Sequence, residues 1–357
     1  MYSVTSKIEL ISQPRGGYAN IKDFDVIKLE DNKELAIKES IAPQTVGLVV
    51  DYMTRFMMGA KAEDAFKISL LGAKNAEKSE MLKDVLIDLD VDYGIIKLAI
   101  SFVKSIKGLD DKSINYACML ATFDSYYRTS LSIAERSTQF FEIELDKDTI
   151  NNIRIMVERS ISFYNTYGPV VKDGFTFEPQ WYLDLSDKDK EDLKNQLVYR
   201  VMKEGEFGGY TLEVSSGDGD FLTNDTLWDF KVSKYKPKAK NTMQLLMYWI
   251  MGQHSGQEIY KNITKIGLYN PRLNVIYRLD INKIPTEVIK SIERNILCYP
   301  ECRIKGKYIF DGFCECNSSY YGFKTGYEDR NGFWEVCCKC NKRVENSYEE
   351  YKFKSKN

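Results

Sequence analysis

Gly217-Asp218-Gly219-Asp220-Phe221-Leu222-Thr223-Asn224-Asp225-Thr226-Leu227-Trp228-Asp229-Phe230-Lys231-Val232 concentrates the residue types that do chemistry. Asn224-Asp225 supplies turn residues between two short β-type runs, so a hairpin is expected. On its second strand Asp229 and Lys231 are two apart and share a face, while Trp228, Phe230 and Val232 point the other way. Asp220 heads the first strand, across the hairpin. Two carboxylates and a lysine therefore converge. Carboxylate oxygens suit Mg²⁺ or Mn²⁺, and a lysine beside them can position a water or stabilise charge on a phosphate. Asp218 reads either as a solvated turn carboxylate or as a second ligand on the metal side. Five lysines follow within ten residues: Lys231, Lys234, Lys236, Lys238 and Lys240. A charge run of this kind is most often a solvated loop, and its place beside the carboxylates adds weight to the alternative of a phosphate-attracting strip. Arg272, in the turn Asn270-Pro271-Arg272, is a second phosphate candidate.

The other chemical concentration is sulfur. Of eight cysteines, seven lie between Cys298 and Cys340, and Cys118 stands apart. Cys314-Glu315-Cys316 and Cys337-Cys338-Lys339-Cys340 are tight pairs flanking a hairpin-length stretch, which predicts a tetrahedral Zn²⁺ site of Cys314, Cys316, Cys337 and Cys340. Cys298 and Cys302 could supply one pair instead, or serve a second ion. The tail looks like a zinc ribbon, with zinc structural because four thiolates leave no open position.

Composition narrows the rest. The 357 residues carry a single histidine, His254, so chemistry needing two imidazoles is excluded. Hydrophobic residues at 43% allow a substantial core, and a net charge of −2 means that any nucleic-acid surface must be local. No run reaches the ~20 apolar residues of a membrane helix, and the N-terminus lacks the features of a signal peptide. A cytoplasmic protein with no membrane contact is expected.

The elements that must position these groups fall into three regions. Residues 1–165 are mostly helical. They open on strand-like alternations (Ile8–Ile11, Phe24–Ile27), then show helical spacing from Ala42, where Val46, Val49, Val50 and Met53 repeat at three and four. Residues 166–297 alternate strands and helices. A charged helical insertion lies near 184–205, starting at Ser186 and Asp189, and a helix spans Thr242–Met251 between the hairpin and two later strands. Residues 298–357 are the cysteine-rich tail. The class is α/β (α+β).

The Asp220, Asp229-Phe230-Lys231 arrangement resembles the PD-(D/E)xK nuclease superfamily, with Gly-Asp in place of Pro-Asp. In the RecB-like branch a glutamine and a tyrosine four apart lie on the next helix, and Gln244 and Tyr248 match them. The resemblance covers roughly Phe175 to Leu279. It implies a restriction-endonuclease-like core sheet flanked by helices, with Asp220 and Asp229 as ligands of Mg²⁺ or Mn²⁺, Lys231 as the catalytic lysine and Gln244 as its helper. The family's upstream helical glutamate has Glu158 and Glu178 as candidates. The implied activity is metal-dependent phosphodiester hydrolysis with DNA preferred over RNA, and analogy suggests phage defence or DNA processing. Two other classes compete: a non-catalytic nucleic-acid-binding module on the same scaffold, and a zinc-stabilised adaptor whose helical region recruits a partner protein or a second copy.

Overall fold

A computed structural model describes residues 2–190, 208–211, 213–299, 310–315, 327–328, 332–334 and 342–350. The protein is mixed α/β, built on one six-stranded mixed sheet. A short parallel pair joins β1 (Tyr2–Ser3) to β4 (Val214–Ser216). The main sheet runs in the spatial order β2 (Asp25–Lys28), β8 (Val275–Asp280), β7 (Lys265–Asn270), β6 (Thr226–Phe230), β5 (Gly219–Leu222), β3 (Lys172–Phe175). Only β6 and β7 are parallel neighbours within it. A parallel pair needs a crossover, and helix α12 (Ala239–His254) supplies it.

Helices occupy the chain before β3. They are α1 (Val4–Glu9), α2 (Pro43–Met57), α3 (Ala62–Ala65), α4 (Lys67–Ala76), α5 (Glu80–Asp88), α6 (Ile95–Ser105), α7 (Asp111–Ala121), α8 (Asp124–Arg128), α9 (Leu131–Ala134) and α10 (Lys147–Tyr167). Val46, Val49, Val50 and Met53 of α2 are fully buried, as their spacing requires. Two short helices come later, α11 (Gln180–Leu183) and α13 (Thr286–Ile292).

The sheet separates two cores. Phe221, Trp228, Phe230, Tyr269 and Ile276 face the helical bundle. There Phe163 of α10 stacks on Tyr269 with ring centroids 4.1 Å apart and meets Trp228 edge-on at 5.1 Å. Leu222, Leu227, Ile266 and Leu268 face the opposite side, under Leu245, Leu246 and Met247 of α12. This alternation along β6 is why Asp229, next to Trp228 and Phe230 in sequence, leaves their core.

Residues 1–42 depart from expectation in two ways. The alternation Ile8–Ile11 suggested a strand, but Val4–Glu9 is helical. Ser3 caps it by accepting from the Ser6 N–H at 3.1 Å, and Val4 and Ile8, one turn apart, are buried in the α12-side core. Secondly, β2 is the edge strand of the main sheet, paired with β8. The first forty residues thus help to build the sheet as well as leading into the helices. Ser186 accepts from the Asp189 N–H, so the expected helix start is present. The rest of that insertion, through Gly205, lies outside the described residues.

Candidate active site

The hairpin forms as its sequence dictates. Thr223 N–H donates to the Thr226 carbonyl at 3.0 Å, and Asp225 pairs with Lys265 of β7. Phe221 lies opposite Trp228 and Leu222 opposite Leu227. Continuing that register by one step sets Asp220 against Asp229, two like charges across neighbouring strands, an unfavourable arrangement by itself. Asp220 Oδ2 accepts the Phe230 N–H at 2.5 Å, and Lys231 Nζ lies 3.2 Å from Asp229 Oδ1. Gly219, just before Asp220, lies under the Phe175 ring, where a Cβ would come within 1.8 Å of a ring carbon. No larger residue fits there without moving Phe175.

Asp229 is 2% exposed, and its Oδ2 is buried with no hydrogen-bond partner. Such an oxygen is costly unless a cation or donor meets it. Burial, then the charge of Asp229, then that of Asp51 push the Asp220 carboxyl up to about 7, against the pull of Lys231 and the Phe230 N–H. Asp229 is raised as well, by burial, with Lys231 opposing. Lys231 is raised chiefly by Asp229, against its own burial. The site gathers an excess of negative charge in a desolvated place, with the Lys231 ammonium and, from α2, the Arg55 guanidinium to offset it.

Asp51 is the residue that sequence reasoning missed. It projects from α2 into the groove that Asp220 and Lys231 line, and its charge acts on Asp220, Asp229 and Lys231. Arg55, one turn on, meets Asp51 Oδ1 at 3.0 Å and Asp173 of β3 at 3.0 Å. The available signal was a lone acid within the apolar run Val46–Met57.

Gln244 and Tyr248 lie on one face of α12 and line the same groove, and Gln244 Nε2 donates to the Tyr248 hydroxyl at 2.9 Å. Burial raises the Tyr248 phenol far above its ordinary range, so it stays a donor. Asp218 is exposed at the groove's rim. The groove, partly open to solvent, holds about 900 Å³ between the bundle and the sheet.

Other expected residues lie elsewhere. Glu158 is on an exposed side of α10, paired with Lys33 at 2.6 Å, because Met156, Val157 and Ser160 take the buried side. Glu178 is not part of the groove either. It lies near Tyr210 and Tyr260, whose phenols are raised chiefly by burial and further by its charge. Arg272 is a correction: it is 8% exposed and its guanidinium pairs with buried Glu39 at 2.6 Å, so it cannot reach a phosphate. In the lysine strip Lys234 folds back onto the Ile37 carbonyl at 2.7 Å and Lys240 pairs with Glu9, leaving Lys236 and Lys238 exposed without a salt bridge among the described residues. His254 stacks on Tyr299 and contacts Glu293 at 3.0 Å, outside the groove.

Among the described residues, no three His, Cys, Asp or Glu side chains are gathered as a ready-made metal cage. The carboxylate pair nonetheless suits a cation chemically, because its orphaned oxygen and mutual repulsion are what a divalent ion would relieve. Of the four proposed zinc ligands only Cys314 is described. It follows the strand Phe310–Phe313, which pairs with Lys342–Arg343, and its N–H donates to the Arg343 carbonyl at 2.7 Å. Cys316, Cys337 and Cys340 lie outside the described residues, as does Cys302, while Cys298 is buried. No helix among the described residues is long and apolar enough to cross a membrane. Compared with known proteins, the chain matches no family model, no curated protein and no solved structure.

Proposed function

We propose that the chain is a Mg²⁺- or Mn²⁺-dependent nuclease of the PD-(D/E)xK type that hydrolyses phosphodiester bonds, DNA in preference to RNA. One observation carries this reading: two opposed, desolvated aspartates, one with an unpartnered oxygen, with a lysine 3.2 Å away at the wall of a groove. Structural ion pairs do not need that arrangement, since a second lysine would neutralise it more cheaply. Asp220 and Asp229 would hold the ion, and Asp51, from α2, would add its negative charge across the groove without joining them as a ligand. Such an ion lowers the pKa of bound water and neutralises charge on the phosphate.

The remaining steps belong to the chain's own side chains. Lys231, kept charged by its aspartates, donates to the scissile phosphate as negative charge builds on it. Tyr248 accepts from Gln244 and keeps its own O–H for the substrate strand. Lys236 and Lys238 attract the backbone from outside the groove. Asp218, at the rim, has no role in holding the ion. The tail is proposed to hold structural Zn²⁺ through Cys314, Cys316, Cys337 and Cys340. Incubating the purified chain with plasmid, linear single-stranded DNA and RNA, each with Mg²⁺, Mn²⁺ or EDTA, tests the proposal. Cleavage of DNA that requires the metal is expected, and no cleavage of any substrate under any condition overturns it.

A further inference from the structure

The groove has two walls of different origin. One is the sheet with α12, bearing Asp220, Lys231 and Tyr248, and the other is the helical bundle, which presents Arg128 from the end of α8. Arg128 is more than half exposed, and its Nε lies 3.4 Å from Asp124 Oδ2. Asp124 is itself buried and fixed by the Tyr52 hydroxyl at 2.6 Å and the Ser69 hydroxyl at 2.5 Å. The guanidinium is thus anchored beside the Asp124 carboxylate and the Tyr52 hydroxyl, and the exposed part of its donor edge faces the groove. A planar fork held in this way suits a phosphate better than a mobile lysine does.

The space between the two walls also limits the substrate. At about 900 Å³ it is no larger than a small-ligand site (roughly 300–1,000 Å³), and Asp220 and Lys231 line it opposite Arg128. A duplex needs an open surface to lie on, whereas one strand can pass between two walls.

We infer that the groove takes a single DNA strand, with Arg128 gripping a phosphate next to the one that Lys231 addresses. This rests on the nuclease reading and adds to it the strandedness of the substrate and the residue of the helical wall that holds it.

Binding is measured by fluorescence anisotropy on the full chain in EDTA, with a short labelled DNA strand and the same sequence as a blunt duplex. Wild type should bind the strand more tightly than the duplex. Arg128→Ala should weaken strand binding about tenfold or more and reduce its salt slope by about one. Arg128→Lys should fall between, because it keeps the charge and loses the fork. Urea unfolding separates binding from folding: Arg128→Ala should lose some stability, because Asp124 loses its charged partner, and still be fully folded under the binding conditions. Wild-type affinity in Arg128→Ala, or tighter binding of the duplex, overturns the inference while metal-dependent cleavage leaves the nuclease reading standing. If the chain neither binds nor cleaves DNA, both fall together.

Discussion

Asp220→Asn should make the protein more stable and inactive at once. In the fold the Asp220 carboxyl is held at about 7 against an ordinary 3.8. The proton belongs to the Asp220–Asp229 pair as a whole. Asparagine removes one charge of that pair and keeps an oxygen to accept the Phe230 N–H. The sign follows from which state ionises first. Below about pH 4 both folded and unfolded chains hold the proton, and the stability linked to it is fully present. As pH rises towards 7 the unfolded chain loses its proton first, so the folded state loses stability, by about 4 kcal/mol once both are ionised. In EDTA at pH 8, Asp220→Asn should therefore exceed wild type by up to about 4 kcal/mol, and at pH 5 by less than about 2 kcal/mol. Urea unfolding at the two pH values measures both differences. Adding Mg²⁺ at pH 8 should stabilise wild type and leave the variant nearly unchanged. A variant no more stable than wild type at pH 8, or a difference that does not shrink at pH 5, would refute the picture of a repelling, desolvated pair.

Other perturbations separate roles. Lys231→Ala should lower kcat about a hundredfold or more with little change in DNA affinity, read by single-turnover cleavage and anisotropy side by side. Neutralising Lys236 and Lys238 together should do the reverse, weakening binding and reducing its salt slope by about two. Arg272→Ala leaves Glu39 buried without its partner and should cost about 3 kcal/mol or more, measured by urea unfolding, whatever it does to cleavage. Elemental analysis should find at least one zinc per chain, and Cys337→Ser should lose it without shifting the main thermal transition, because among the described residues the main sheet and both its cores are built from residues up to Tyr299.

What could be read from the amino-acid order was local. The Asn224-Asp225 turn, the shared face of Asp229 and Lys231, and Gln244 one helical turn from Tyr248 depend only on periods of two and four residues. The structure brings Lys231, Gln244 and Tyr248 together at one groove, with Asp229 buried against Lys231. Asp51 escaped because its partners lie some 170 residues away, and nothing in its own helix marks it beyond an acid among apolar neighbours. Arg272 was misjudged for the same reason. A turn arginine looks exposed until Glu39, from the far end of the chain, folds over it. The strand β2 was legible as an alternation, but its place at the sheet's edge was set by pairing with β8, which no local pattern encodes.

The central claim is that the Asp220–Asp229 pair with Lys231 drives metal-dependent hydrolysis of DNA. Asp229→Asn tests it most directly, compared with wild type on one labelled DNA strand with Mg²⁺ and with EDTA, after both proteins give the same circular dichroism spectrum. The account predicts product only for wild type with Mg²⁺, with the variant slower by about two to three orders of magnitude. Cleavage by Asp229→Asn at the wild-type rate, or wild-type cleavage that persists in EDTA, would contradict it.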